Sequence, residues 1–262
     1  MTERKPRCGP LWIAYEYVAM VVGLGFLTLI CLLWLPFAMI LHPLLPRRWG
    51  QPFGRFFIMS AFRLYLAFLT LFCACRVDLS SLDNLRHEGP LIVVANHPSL
   101  LDAVLVLSRL PNAVCVMKAE LMDNILFGAA ARLARYIRND AAFNLLFNAR
   151  EELRRGAQLV IFPEGSRTKK FPVDPFLPTA AVIARRTGIP VQTLLITFSS
   201  PYLGKGWPLF GKPDLPLEIS VRLGRLFPAQ KDIVAFTAQL EEYFRRELAP
   251  SGASTATNAI AQ

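Results

Sequence analysis

The sequence predicts an α/β domain, a mostly parallel or mixed sheet flanked by helices, preceded by an N-terminal membrane helix segment. Three observations predict it. From about residue 76, short runs rich in Val, Ile and Leu alternate with longer segments of helical period, the pattern of a layered sheet with crossover helices. Before them, Tyr17 to Leu41 holds 25 residues without a charge. Finally, two polar turns, "NHPSLLD" (Asn96–Asp102) and "FPEGSRT" (Phe162–Thr168), each follow directly on an apolar run, where open α/β sheets place their chemistry.

Taken in order, the uncharged run would reach about 37 Å as a helix, enough to cross the hydrocarbon of a bilayer. Gly23, Gly25 and Pro36 are tolerated in such helices. A signal peptide would have a shorter apolar core and a small-residue cleavage site. A second apolar run, Phe56 to Cys75, is interrupted by Arg63 and reads as a re-entrant or interfacial helix. Arg4, Lys5 and Arg7 precede the first run, and Arg47, Arg48 and Arg55 lie between the two, so basic residues on both flanks set no orientation. Residues 1–75 are therefore expected to anchor the chain, 76–249 to form the catalytic domain, and 250–262, small and polar, to be a disordered tail. Within the domain, strands are expected at Leu91–Ala95, Ala113–Met117, Gln158–Phe162, Val191–Phe198 and Glu218–Leu223. Helices are expected near Leu100–Arg109, Ile125–Arg135, Ala142–Arg155, Ala180–Thr187 and Ile233–Leu248.

Composition narrows the function. Of the 262 residues 53% are hydrophobic, the net charge is +10, and the excess concentrates between Arg132 and Arg186, with 11 Lys/Arg against 5 Asp/Glu. Such a surface suits an anionic membrane face or a phosphorylated substrate. Nucleic acid is not expected, because no recognition module or aromatic platform accompanies the charge. Cys8, Cys31, Cys73, Cys75 and Cys115 show no metal spacing, and the histidines at 42, 87 and 97 are scattered. The cysteines read as small buried hydrophobes, and neither a metal site nor a bound cofactor is expected.

The first polar turn places His97 just past the strand Leu91–Ala95. Ser99 and Asp102 fit a Ser-x-x-Asp capping box, which gives Asp102 a purely structural use. The functional use joins it to His97. A carboxylate accepting a hydrogen bond from one ring nitrogen fixes the tautomer and leaves the other nitrogen to take a proton. Neither Ser99 nor Ser166 sits in a G-x-S-x-G elbow. The pair is thus expected to activate a hydroxyl carried by the substrate. In the second turn, Gly165 permits close backbone approach to a ligand and Arg167 offers a planar fork for phosphate. Glu164 needs a partner there, either Arg167 in an ordinary ion pair or a polar group.

Together, N-H-x-x-x-x-D and F-P-E-G-S-R resemble the two signature blocks of the glycerolipid acyltransferase superfamily, the relatives of 1-acylglycerol-3-phosphate acyltransferase. The resemblance covers about residues 76–225. It implies an acyltransferase that uses acyl-CoA or acyl carrier protein as donor and a lysolipid as acceptor, at the lipid bilayer. His97 matches the general base and Asp102 its orienting acid. Glu164, Gly165 and Arg167, with Ser166 inside the same block, match the acceptor-binding residues. Arg138, in "ARYIRND", falls where the family has another substrate-contacting segment. "GIPVQTLLITF", Gly188–Phe198, resembles the later strand block. One departure stands out: the family commonly has P-F-K-x-G-A after the arginine block, and this chain has "PFLPTA", with Leu177 in place of the lysine and Thr179 in place of the glycine. That change favours an alternative acceptor without phosphoglycerol, a lyso-aminolipid or glycolipid; a separate alternative is a non-catalytic lipid-binding membrane protein on the same fold, against which the intact His97/Asp102 pair speaks. The uncharged run and the cytosolic donors imply a bacterial inner-membrane location with the catalytic domain facing the cytoplasm.

Overall fold

The computed structural model describes residues 9–208 and 211–249. Arg4, Lys5, Arg7, Cys8 and the expected tail at 250–262 lie outside the described residues.

Two long helices open the chain, α1 (Pro10–Leu44) and α2 (Arg47–Phe72). Both are long and apolar enough to cross a membrane by length and composition. The second begins nine residues before its apolar run, because Arg47, Gln51 and Arg55 belong to the same helix and find polar partners in the domain. Glu152, on a later helix and buried, accepts hydrogen bonds from Arg47 (2.6 Å), Arg55 (2.6 Å) and Gln51. Arg55 also reaches Asn112 Oδ1 at 2.5 Å and the Ala134 carbonyl at 3.2 Å, and Arg63 donates to the Ser108 carbonyl at 2.7 Å. A buried carboxylate is costly unless paired, and here burial, which raises the Glu152 pKa, is outweighed by the two guanidinium groups, so the carboxyl stays below its ordinary value. Gly54 lets α2 come close at this junction: a Cβ there would meet the Ala134 nitrogen at 2.8 Å.

Seven strands follow: β1 (Cys75–Asp78), β2 (Leu91–Ala95), β3 (Ala113–Lys118), β4 (Ile137–Asn139), β5 (Gln158–Ile161), β6 (Val191–Phe198) and β7 (Leu217–Phe227). They form one sheet in the order β1-β7-β6-β2-β5-β3-β4. All neighbouring pairs are parallel except β6 and β7, so the expected mixed, mostly parallel sheet is present. Crossovers are made by α3 (Asp102–Leu107), α4 (Ala119–Asp123), α5 (Ile125–Leu133), α6 (Ala142–Arg154) and α7 (Thr179–Thr187), and α8 (Ile233–Leu248) closes the domain. β2 and β5 are central and buried at every position, which is why their sequences are apolar runs rather than alternating ones, broken only at Gln158, whose amide donates to the Leu85 carbonyl at 2.5 Å.

The described core is continuous from the sheet into the hairpin. Ala19 and Met20 of α1 and Ile58, Tyr65, Leu66 and Leu69 of α2 belong to the same apolar cluster as Ile92, Val93, Leu159 and Leu194. The outward side of α1 stays apolar and uncovered, with Leu11, Val18, Val21, Leu33, Phe37 and Ile40 all more than half exposed. Exposed apolar surface of that extent marks contact with a partner or a membrane. β1, β4 and α4 are absent from the sequence-based expectation. They are three to five residues long, too short to show a period, and form because neighbouring strands or helices offer them ladder bonds and packing.

Candidate active site

The site is built at the carboxyl ends of β2 and β5, which are adjacent in the sheet. Asn96 extends the β2–β6 ladder with its side chain: Oδ1 accepts from Ile196 N (2.8 Å) and Nδ2 donates to Ile196 O (2.9 Å). This fixes where the chain leaves the strand. His97 is the next residue. Its backbone N–H donates to Glu164 Oε1 (2.9 Å) and its carbonyl accepts from Thr168 N (2.8 Å), so both polar backbone atoms are held by the turn after β5.

The ring of His97 stacks on Phe162, with centroids 4.3 Å apart and planes at 25°. Its Nδ1 lies 2.7 Å from Asp102 Oδ2. An ionised carboxylate only accepts, so Nδ1 carries the proton and Nε2 presents its lone pair. The His97 side chain is 19% exposed and that of Asp102 0%: the acid is sealed behind the ring, while the ring keeps access to the outside. Burial pushes the Asp102 carboxyl up to about 6, against the opposing pull of the His97 hydrogen bond and charge and of the Ser99 N–H.

Asp102 performs both roles read from the sequence. Oδ2 also accepts from Ser99 N at 2.8 Å, which is the acid's half of a capping box. The other half differs. Ser99 Oγ accepts from Leu101 N (3.2 Å) and donates to the Tyr202 carbonyl (2.9 Å). Ser99 is therefore committed to the loop at residues 200–204, and Ser166 Oγ turns to the Arg167 carbonyl at 3.3 Å. Neither hydroxyl is bonded to His97.

Glu164 does not pair with Arg167. It is buried and accepts three hydrogen bonds: from His97 N and Thr168 Oγ1 (both 2.9 Å) at Oε1, and from Asp174 N (2.9 Å) at Oε2. Burial raises its pKa, opposed by these hydrogen bonds. It is the bracket that joins the β2 turn, the β5 turn and the segment at 174. Truncation would leave two backbone N–H groups without an acceptor, at about 1–3 kcal/mol each. Glu164→Ala is expected to lower unfolding free energy by about 2–5 kcal/mol, read by denaturant titration. A loss under about 0.5 kcal/mol would show that the bracket is dispensable.

Gly165 adopts φ +66°, the left-handed region that glycine enters without strain, and Leu177 Cδ1 would lie 2.8 Å from a Cβ there. Leu177, half exposed, thus covers the turn that carries Arg167. Arg167 Nη1 donates to the carbonyls of Leu203 (2.9 Å) and Gly204 (2.8 Å). Leu203 O also accepts from Leu100 N at 3.2 Å, so the 200–204 loop is stitched to both turns of the site. Arg138 is apart from this group. It lies on β4, three positions from β2 in the sheet, about 14 Å at the usual strand spacing. It is held by Asp123 (2.5 and 2.9 Å) and Asp140 (2.6 Å).

The structure therefore brings together His97, Asp102, Glu164, Gly165, Ser166 and Arg167 and leaves Arg138 at a distance along the same side of the sheet. Sequence reasoning missed Phe162, Asn96 and the Tyr202–Gly204 loop. The first two stand beside quoted site residues, and an amide or ring immediately next to a strand-end histidine is a readable signal. The loop carries no such signal, since it contributes backbone carbonyls.

A histidine–carboxylate pair thus stands at the end of a central α/β strand, with neither the Ser99 nor the Ser166 hydroxyl bonded to it. An Acyltransferase family model matches residues 76–197. A 1-acyl-sn-glycerol-3-phosphate acyltransferase from Pseudomonas aeruginosa is 25% identical over 215 residues, covering 80% of both chains. A chloroplastic 1-acyl-sn-glycerol-3-phosphate acyltransferase from Brassica napus is 28% identical over 136 residues, 50% of this chain and 40% of that one. A putative 1-acyl-sn-glycerol-3-phosphate acyltransferase from Caenorhabditis elegans is 35% identical over 111 residues, 40% of this chain and 39% of its own length. The chain thus spans about two fifths of the length of the latter two. The crystal structure of the 1-acyl-sn-glycerophosphate acyltransferase PlsC from Thermotoga maritima has the same fold, with TM-score 0.67, 20% identity, and coverage of 89% of this chain and 96% of that one.

Proposed function

We propose that the protein is a membrane-bound O-acyltransferase that moves a fatty acyl group from acyl-CoA or acyl carrier protein to the hydroxyl of 1-acylglycerol-3-phosphate. The observation that carries this reading is the His97–Asp102 pair at 2.7 Å, its ring accessible and its acid buried. In the reaction, Nε2 of His97 takes the proton of the acceptor hydroxyl as its oxygen bonds to the thioester carbonyl carbon. The tetrahedral intermediate collapses, the C–S bond breaks, and the proton leaves with the thiol. Asp102 stabilises the imidazolium formed on the way. Glu164 and Gly165 shape the turn, Ser166 lines it, and the nitrogens of Arg167 other than Nη1 face the acceptor phosphate. Arg138, farther along the sheet, contacts the remainder of the substrate. Residues 1–75 hold the enzyme in the inner membrane with the domain, 76–249, on the cytoplasmic side.

The test is turnover of purified full-length protein with each donor and with lysophosphatidic acid or a neutral lysolipid as acceptor. Thioester cleavage that needs no lysolipid would overturn the reading. A specific observation supports a second acceptor class: Leu177 places an apolar side chain over Gly165 where the family carries a lysine, which favours a lyso-aminolipid or glycolipid. Preference for the neutral acceptor in the same assay selects that alternative.

The pair sets a pH signature. The Asp102 carboxyl titrates near 6 in the fold, above the ordinary aspartate value of about 3.9. Its protonated form is therefore favoured by folding, and the stability it contributes is present below pH 4 and lost as pH rises through 6. Activity runs the other way, because protonation removes the charge that supports the imidazolium. Turnover is expected to fall as pH drops through about 6. Over pH 4 to 8, the melting temperature of Asp102→Asn is expected to rise relative to wild type. A flat difference would show that Asp102 does not titrate in this window.

A further inference from the structure

The C-terminal end of α1 borders a cavity away from the candidate active site. A cavity of about 150 Å³ lies between α1 and α5, lined by Ala38, Met39, His42, Ala129 and Arg132. Its floor is apolar and its rim cationic. Ala38 and Ala129 are buried, and their small side chains leave the space. Arg132 and Arg135 both lie within electrostatic range of the His42 ring. Arg132 is steadied by a 2.7 Å bond from Nη1 to the Met122 carbonyl. The Arg132 guanidinium thus lines the opening, and Arg135 lies near enough to act on the same ring.

Their charge is not cancelled locally. Asp123 is in electrostatic range of Arg132, but it is already engaged by Arg138 in a two-pronged pair at 2.5 and 2.9 Å. Glu152 is engaged by Arg47 and Arg55. Among the described residues, no carboxylate forms an ion pair with Arg132 or Arg135. Convergent unneutralised cations around a concavity call for an anion.

The surroundings say which kind. Met39, Ile40, Leu44 and Trp49 are more than half exposed, and the Arg48 guanidinium stands 6.0 Å from the Trp49 ring centroid. Exposed aliphatic residues ending in tryptophan and arginine make the pattern of a helix end at headgroup level. Basic pockets beside a membrane helix end take anionic headgroups. At about 150 Å³ the cavity is smaller than the roughly 300–1,000 Å³ of sites that engulf a whole small molecule. It suits a phosphate group whose acyl chains lie outside, along the bare face of α1. It is distinct from the candidate active site: Arg135 precedes β4, three strands across the sheet from β2 and His97.

We propose that Arg132 and Arg135 bind the phosphate of an anionic membrane phospholipid at the α1–α5 cavity, so that the enzyme is held to, and selects, anionic bilayer regions. The test uses the full chain in mixed micelles of constant total lipid, titrated with phosphatidylglycerol or phosphatidylcholine and read by tryptophan fluorescence. Wild type is expected to saturate with phosphatidylglycerol and not with phosphatidylcholine. Each arginine near an anionic surface contributes about fivefold, so Arg132→Gln with Arg135→Asn is expected to raise the half-saturating phosphatidylglycerol fraction by about 25-fold. Arg135→Asn alone is the folding-safe variant, because asparagine tolerates the positive φ of 59° found there, and a shift of about fivefold is expected. Arg185→Gln with Arg186→Gln removes the same charge from exposed positions on α7 and is expected to change nothing. An equal loss in that control, or no loss in the α5 variants, would overturn the site. Saturable binding of inorganic phosphate at matched ionic strength, without a preference for phosphatidylglycerol, would overturn the lipid assignment in favour of a free anion.

Discussion

Replacing His97 by alanine is expected to lower kcat/KM by about 10²–10⁴, the usual worth of a positioned general base, while leaving the melting temperature within a few degrees of wild type. The reason is where the interactions lie. The backbone of His97 is held through its N–H by Glu164 and through its carbonyl by Thr168, and neither bond involves the ring. The ring itself is partly exposed and packs on Phe162 from one side. Alanine removes that stacking and the bond to Asp102 but leaves the turn anchored. It also leaves Asp102 buried with one fewer partner, so the remaining cost falls on a carboxyl that can protonate. Steady-state kinetics beside thermal melting separates the outcomes. Wild-type turnover at an unchanged melting temperature would eliminate His97 as the base.

Asp102→Asn is expected to cost about 10²-fold or more in kcat with stability at pH 8 changed by no more than about 1 kcal/mol. Oδ2 accepts from both Ser99 N–H and His97 Nδ1, while Oδ1 is buried without a hydrogen-bond partner among the described residues. An amide can fill this place in one sensible way, because the fixed Ser99 N–H demands an oxygen opposite it. The amide oxygen then takes the Oδ2 position and the NH₂ takes the orphan one. The turn survives, and so does the ring tautomer, but the negative charge that supports an imidazolium is gone. On the stability side, removing a carboxylate whose pKa is raised by burial relieves a desolvation cost at high pH. An unsatisfied amide group costs about 1–3 kcal/mol, so the two offset each other. Rate per folded molecule at pH 8 is the decisive number. If it stays at the wild-type level, Asp102 is only a helix cap.

These two expectations rest on residues that were readable in the sequence, and the reason is local. A strand, a turn and a helix start are contiguous, so Leu91–Ala95, His97, Ser99 and Asp102 announce one another through spacing alone. The same holds for β5 and its Phe162–Thr168 turn, and for β6 and α8, whose expected bounds coincide with the observed ones. What could not be read is what depends on distant parts of the chain. Glu164 suggests Arg167 as partner because the two are three residues apart, yet its acceptors are used by backbone groups at 97 and 174 and by Thr168. Arg167 reads as a free phosphate fork, yet one of its nitrogens is spent on carbonyls 36 and 37 residues away. β1 and β4 exist only as partners of β7 and β3. Side-chain pairing across the sheet leaves no trace in periodicity, and backbone carbonyls have no residue identity to recognise.

The bonds from α2 to Glu152 bear on how this protein can be handled and how it could have arisen. A fragment starting after the helical hairpin would keep the sheet but strip Glu152 of Arg47, Gln51 and Arg55, and would uncover the apolar surface that Tyr65, Leu66 and Leu69 now seal. A buried carboxylate deprived of its cations costs several kcal/mol, a large share of what holds a domain of this size together. The hairpin is thus not a tether that can be exchanged for another or cut away to yield a smaller enzyme. By thermodynamic linkage, a bilayer that favours the docked hairpin also favours the folded sheet. On the proposed membrane-bound reading, lipid serves this chain twice over, as the material it acts on and as an ingredient of its own fold.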